Sequence, residues 1–309
     1  MERRKFLKTM GAGVTAAGFG ATAGMIPFSE VLAAAPENTS QAYDMVAVMN
    51  GEPVEMFERA MAAMGGMGKF VRSGQSVVVK PNIGWDASPE RGANTNPELV
   101  AKIIEHCFKA GAKEVSVFDR TCDQWRRCYE NSGIEKAARD AGAKVVSGDA
   151  ENLFRTVSIP GKRMKSAKVH ELVLNSDVFI NVPILKHHGG AGISIAMKNM
   201  MGVVWDRGFW HQNDLQQCIA DFLSFKKPDL NIIDAYRVMK RNGPKGVSVN
   251  DVSLAKSLII STDIVAADAA ASAVFGKKAS EVAHIRNAAE MGLGKMDLSQ
   301  LNIHRINLG

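Results

Sequence analysis

Residues 176–211 read SDVFINVPILKHHGGAGISIAMKNMMGVVWDRGFWH, and the fold is decided by how this stretch is read. Val178 to Val182 is a continuous apolar run with the length and β-branched content of a strand buried on both faces. Pro183 has no N–H to donate to a ladder, so the strand is expected to stop there. Lys186, His187 and His188 follow at once, then Gly189, Gly190 and Gly192, whose missing side chains let backbone approach a ligand closely. Lys198 and Asn199 come next, and His211 lies behind Trp205 and Trp210. Open α/β sheets bind ligands just past the carboxyl ends of their buried strands, and this stretch supplies basic and imidazole groups at such a point.

Composition sets the frame. The chain has 309 residues, 46% apolar and 23% charged, enough for a substantial core. Part of the net charge of +6 sits in residues 1–34, where Arg3, Arg4, Lys5 and Lys8 face only Glu2 and Glu30. No Lys/Arg block resembles a nucleic-acid footprint, so no nucleic-acid partner is expected. Arg3-Arg4-Lys5-Phe6-Leu7-Lys8 resembles a twin-arginine export signal, and a Gly/Ala-rich, weakly apolar stretch and Ala33-Ala34-Ala35 follow it. Residues 1–34 therefore read as a signal peptide, 35–43 as a linker and 44–309 as one α/β domain. The expected partners in export are the translocase and a signal peptidase. The mature chain is expected to hold no stable transmembrane segment and to reside in the periplasm or another extracytoplasmic compartment. Four cysteines show no C-x2-C spacing, so no iron–sulfur motif is present. Cys122 and Cys128 are candidates for a disulfide in an oxidising compartment.

From residue 44 the chain alternates between the two periodicities. Strands are predicted at 44–49, 75–79, 114–118, 144–146, 178–182, 229–233 and 257–260. Helices are predicted at 53–70, 97–109, 134–140, 215–225, after Asp263, and at 281–290. Residues 150–175 read as an irregular β excursion around Pro160-Gly161, and Asn242 to Gly246 as a turn or ligand loop. This alternation predicts a mainly parallel sheet with helices on both faces, built from βαβ units.

Lys80, Asn82, Asp119, Lys186, His188, Asp234 and Asp263 all fall just after apolar runs. If every strand were parallel they would share one edge of the sheet and build one site. Lys80, Asn82, Asp119, Lys186, Asn199 and Asp234 are the expected substrate-binding groups, suited to a small anion. His188 is the expected acid/base group because imidazole titrates near neutrality. Lys198, with Met197, Met200 and Met201 beside it, has the apolar surroundings that shift an amine's pKa, and it is suited to catalysis or covalent attachment. His211 is the candidate metal ligand.

Several segments resemble the family known as domain of unknown function 362. They are Val79-Lys80-Pro81-Asn82, Asn96-Pro97-Glu98-Leu99-Val100, Asp177 to Pro183, Lys186-His187-His188, Met197-Lys198-Asn199-Met200-Met201-Gly202, Pro228 to Asp234, Gly243-Pro244 and Gly292-Leu293-Gly294. The family's usual Lys-Thr-His places His188 as its histidine, with His187 in the threonine position. A more distant resemblance is to lactate racemases that use a nickel-pincer nucleotide, from which the chain departs at Ile195-Ala196-Met197. That resemblance implies a cofactor held covalently by Lys198 near Gly190 and Gly192, nickel ligated by His211, and acid/base chemistry at His188. The expected function is thus an exported enzyme with a metal or organometallic cofactor, of racemase, epimerase or oxidoreductase type, acting on a small hydroxy-acid-like anion. The alternatives are an exported anion- or cofactor-binding protein without catalysis, and an accessory partner in electron transfer.

Overall fold

The computed structural model describes residues 42–309, so the expected signal peptide and nearly all of the linker lie outside the described residues. The elements run β1 (Met45–Met49), α1 (Pro53–Ala63), β2 (Ser76–Pro81), α2 (Pro97–Lys109), β3 (Glu114–Val117), α3 (Trp125–Asn131), α4 (Ile134–Asp140) and β4 (Lys144–Val145). They continue with β5 (Phe154–Ser158), β6 (Ser166–His170), α5 (Glu171–Asn175), β7 (Val178–Val182), β8 (Ile184–His188), β9 (Gly192–Ser194), α6 (Ala196–Asn199), α7 (Arg207–Gln212) and α8 (Leu215–Phe222). The last are β10 (Leu230–Met239), β11 (Val252–Ser261), α9 (Ile264–Phe275), α10 (Ala283–Glu290) and β12 (Ile303–Asn307).

The central sheet has the order β12-β1-β11-β10-β7-β2-β3-β4. From β10 to β4 every pairing is parallel. Side chains alternate across the pleat, so each strand feeds two cores. Val77, Val79, Val178, Ile180 and Val182 pack on one face with Met56, Phe57 and Ile103 of α1 and α2. Val78, Phe179, Ile233 and Ile259 pack on the other with Val265 and Ala269 of α9. Burial on both faces is why the strands read as unbroken apolar runs, and each buried Val or Ile contributes about 1.5–3 kcal/mol. The expected excursion is the separate antiparallel pair β5–β6.

Four local expectations change. The helix from Pro53 ends at Ala63, because Gly65 and Gly66 take φ values of 95° and 84° that stop helical continuation. The segment at Trp125 is helical, with the Gln124 side chain accepting from Arg127 N–H at its start. Pro183 interrupts the strand, which resumes as β8, so Lys186, His187 and His188 lie on a strand paired with β10 and with β9. Residues 189–191 are then the tip of a hairpin. The largest change is β11, a ten-residue strand antiparallel to both β10 and β1. Its carboxyl end points to the opposite edge of the sheet, so Asp263 does not join the expected cluster. Asp263 instead caps α9, accepting from the Val265 and Ala266 N–H groups at 2.9 and 3.0 Å.

One buried group ties the second face to the functional edge. Asp268 is fully buried in α9, and its carboxyl accepts from Ala196 N–H at 2.7 Å and Met197 N–H at 3.1 Å, where α6 begins. Burial pushes this carboxyl up to about 8, against those two hydrogen bonds. The folded protein therefore holds the proton while the unfolded chain has lost it above the ordinary 3.8, so this group makes stability fall as pH rises from about 4 to about 8. Asp268→Ala should cost about 2–5 kcal/mol at pH 5 by leaving two buried N–H groups unpaired. That deficit should narrow toward pH 8, as read by urea unfolding at the two pH values.

Candidate functional site

The carboxyl ends of β2, β3 and β7 meet α6 in a buried polar cluster. Lys80, at the end of β2, is fully buried, and its Nζ lies 2.9 Å from Asp119 Oδ1, just past β3. Asp119 Oδ2 accepts from Ile83 N–H at 2.7 Å. Asn199, at the end of α6, is the hub. Its Oδ1 accepts from Lys80 Nζ at 2.8 Å and from Asn82 Nδ2 at 3.0 Å. Its Nδ2 donates to Asn181 Oδ1 at 2.8 Å and to the Lys80 carbonyl at 3.3 Å. Lys186 Nζ donates to Asn82 Oδ1 at 3.0 Å and to the Ala93 carbonyl. Gly202 packs directly over the ion pair, and a Cβ there would overlap the Asp119 carboxylate and the Lys80 ammonium. This is a close approach that requires glycine.

Two adjoining cavities open from this cluster. The inner one, about 60 Å³, is bounded by Lys80, Lys186, Lys198, Asp119, Ser194 and Asn199, among others. The outer one, about 510 Å³, adds Trp205, Gly208 and His211. Trp85, Arg120, Cys122, His188, Lys198 and Arg207 border both. Five basic side chains thus line the inner cavity with Asp119 as the carboxylate among them. The charge excess shows in each amine. Burial, and then the nearby Lys198 and Lys80 charges, hold Lys186 down at about 7. Burial, and then Arg207 and Lys80, hold Lys198 at about 8. The Lys198 side chain makes no hydrogen bond or ion pair among the described residues. Arg120 stacks on Trp205 at 4.1 Å, and its Nε has no hydrogen-bond partner among the described residues.

His188 is 9% exposed, and burial followed by the charges of Lys198 and Lys186 lowers it to about 3. Its Nδ1 accepts from the Gly190 and Ala191 N–H groups, both at 3.1 Å. An Nδ1 used as an acceptor puts the proton of the neutral ring on Nε2. The available nitrogen is therefore a donor toward the cavities, which alters the acid/base role expected from an unperturbed imidazole. His187 turns away, with Nδ1 accepting from Gly243 N–H at 3.0 Å, and so anchors the loop that brings Pro244 to the cavity wall.

The other expected residues separate. Gly190 and Gly192 are exposed at the hairpin tip and line neither cavity, and Gly192, with φ 77°, serves the turn. Asp234 is buried in a different crevice, accepting from Asn96 N–H at 2.8 Å and Tyr236 N–H at 3.1 Å, which makes it an anchor for the start of α2. His211 reaches only the outer cavity, its ring stacked at 6.2 Å from that of His188. Among the described residues no group of three His, Cys, Asp or Glu side chains is placed to hold a metal ion. Burial, and then the charges of Lys198 and Arg207, hold His211 below the ordinary imidazole range. The donor set suits the anionic parts of a ligand or organic cofactor and does not suit a bare divalent ion. Cys122 and Cys128 are both free thiols. Arg120, Cys122 and Arg207 escaped the sequence reading of the site, Cys122 having entered it only as a disulfide candidate. The first two stand past β3 beside Asp119, where the strand-end rule points, while Arg207 arrives from α7 with no local signal.

The fold and the site define an α/β protein with a cavity rich in basic side chains at the carboxyl edge of a mixed sheet. Residues 77–273 match the family described as Domain of unknown function (DUF362), and the chain belongs to it. It is 27% identical over 237 residues to a thylakoid-associated protein of Synechocystis sp., across 74% of this chain and 70% of that protein. Among solved structures it is similar to the lactate racemase apoprotein of Thermoanaerobacterium thermosaccharolyticum, with TM-score 0.40 and 11% identity, covering 82% of this chain and 58% of the racemase. A Thermotoga maritima protein gives TM-score 0.42 and 13% identity over 62% of this chain and 52% of that one. The chain thus spans less than two thirds of either solved structure. Among the described residues, no helix is long and apolar enough to cross a membrane.

The assignment of His188 is checked by nitrogen-15 NMR of the imidazoles. The ring should remain neutral at pH 5 with its proton on Nε2. A His188 resonance titrating near 6.5 would contradict it.

Proposed function

We propose that this protein binds a small organic anion of hydroxy-acid size in the inner cavity and acts on it by proton transfer. The observation that carries the reading is the imbalance of charge, with five basic side chains meeting one carboxylate and Lys198 left without a partner. Lys80 and Lys186 are committed to Asp119, Asn82, Asn199 and backbone, so they build the field, and Lys198 meets the ligand. Held near 8, Lys198 is charged in most molecules at pH 7 and still has a neutral fraction able to accept a proton. His188 then donates a hydrogen bond from Nε2 to an oxygen of the ligand.

Calorimetry with glycolate, L-lactate and inorganic phosphate tests the binding. Lys198→Met should weaken binding by about 10- to 100-fold, the loss expected for one charged hydrogen bond. A lysine binds an anion in its charged form, so affinity should hold from pH 6 to 7 and fall as pH rises through about 8. Lys198→Arg should hold it to higher pH. Affinity indifferent to both substitutions sinks the reading. Exchange of the α-hydrogen of bound lactate or glycolate with deuterated water separates turnover from binding alone.

The extracytoplasmic destination belongs to the same proposal and rests on Arg3 and Arg4. Replacing both with lysine should retain the full-length chain in the cytoplasm, as read by cell fractionation. Continued export would remove the twin-arginine route.

A further inference from the structure

Cys122 stands apart from the other three cysteines. Cys107, Cys128 and Cys218 are buried, and burial pushes their thiols up to about 12, 12 and 11. Cys122 is exposed, lies three residues past Asp119, and is fixed by its N–H donating to the Gly84 carbonyl at 2.7 Å. Its Sγ lies 3.3 Å from the Arg207 guanidinium and borders both cavities beside Lys198 and His188. The second observation is His188. This side chain is nine-tenths buried, borders the same two cavities, and with Nδ1 held by the hairpin has an Nε2 without a hydrogen-bond partner among the described residues. A donor placed in the cavity wall in this way is free to hydrogen-bond an acceptor atom of whatever occupies the cavity. A thiol, an imidazole N–H donor and a lysine without an ion-pair partner therefore line one space.

We propose that Cys122 is a nucleophile of this site toward organic anions with an electrophilic carbon next to the carboxylate, α-keto acids being the natural class. The inference rests on the anion-site reading above. In the step, the Cys122 sulfur bonds to the keto carbon and the carbonyl π pair moves onto the oxygen. The proton lost from sulfur is matched by one gained at that oxygen, giving a thiohemiacetal with no change of oxidation state. Lys198 and Arg207 attract the carboxylate, and His188 Nε2–H faces the oxygen.

The test uses the full chain and paired alkylating reagents of opposite character. With either reagent sulfur displaces iodide, forming C–S as C–I breaks, and the product is read at the Cys122 peptide by mass spectrometry. Iodoacetate, which carries a carboxylate, should modify Cys122 at least about tenfold faster than neutral iodoacetamide, the low end of the gain that a focused field gives. Inorganic phosphate should slow the reaction, and Lys198→Met should abolish the preference for iodoacetate. Carbon-13 NMR of C2-labelled pyruvate should show the tetrahedral adduct with wild type and not with Cys122→Ser. Phosphate that binds by calorimetry without protecting Cys122, or the absence of any adduct, overturns the role of the cysteine and leaves the anion site standing. Phosphate, glycolate and lactate that all fail to bind overturn the site reading itself.

Discussion

Lys80 is buried beneath the sheet edge because Asp119 pairs with its charge and Asn199 accepts its hydrogen bond, and the rest of the site depends on that arrangement. An unpaired buried ammonium is strongly disfavoured, and removing one partner of such a pair costs about 3–5 kcal/mol. The pair holds the ends of β2 and β3 in register at the cavity floor. Asn199 extends it, since its amide uses both lone pairs and both N–H bonds to join β2, β7 and α6. The Asn199 amide is fully satisfied, and a buried polar network is rigid to the extent that its members are paired. Gly202 and Asp268 follow from it. The first leaves room above the pair, and the second supplies the acceptors that start α6, from which Lys198 and Asn199 project.

Burial and like charge act together on what remains. Lys186 and Lys198 are each held below the ordinary lysine range, first by desolvation and then by neighbouring cations. His188 responds to the same field by staying neutral, and the hairpin N–H groups select its tautomer. The hairpin glycines thus influence the chemistry at second hand. They shape a turn whose N–H groups occupy one imidazole nitrogen, which leaves the other as a donor.

Much of this was legible in the chain, and the reason is geometric. Lys80, Asn82, Asp119, Lys186 and His188 were found because β2, β3, β7 and β8 share one direction, so that polar groups after apolar runs converge. The same rule failed for Asp263, since β11 runs antiparallel, and an apolar strand carries no mark of its direction. It failed for Asp234 because β10 continues five residues beyond it, so the carboxylate sits inside a strand and anchors α2. Gly190 and Gly192 were expected at a ligand because glycine is needed both at close contacts and in tight turns, and the pattern does not separate the two. Arg207 depends on how α7 packs across the strand ends, which is tertiary information.

The matched region, residues 77–273, contains every residue of the cationic cluster, whereas β1 and β12 lie outside it and complete the far side of the sheet. That division separates two physical problems. The far strands bury apolar surface, and substitutions there act on stability. The cluster brings together five basic groups that repel one another, and Asp119 offsets only part of that repulsion. Lys80 and Lys186 are held by fixed acceptors, so their positions are settled whether or not a ligand is present. Lys198 has no such acceptor, and its protonation follows whatever occupies the cavity. An anion in the cavity would favour its charged form and a departing one would return it toward its neutral fraction, so anion binding and proton uptake are linked at one nitrogen.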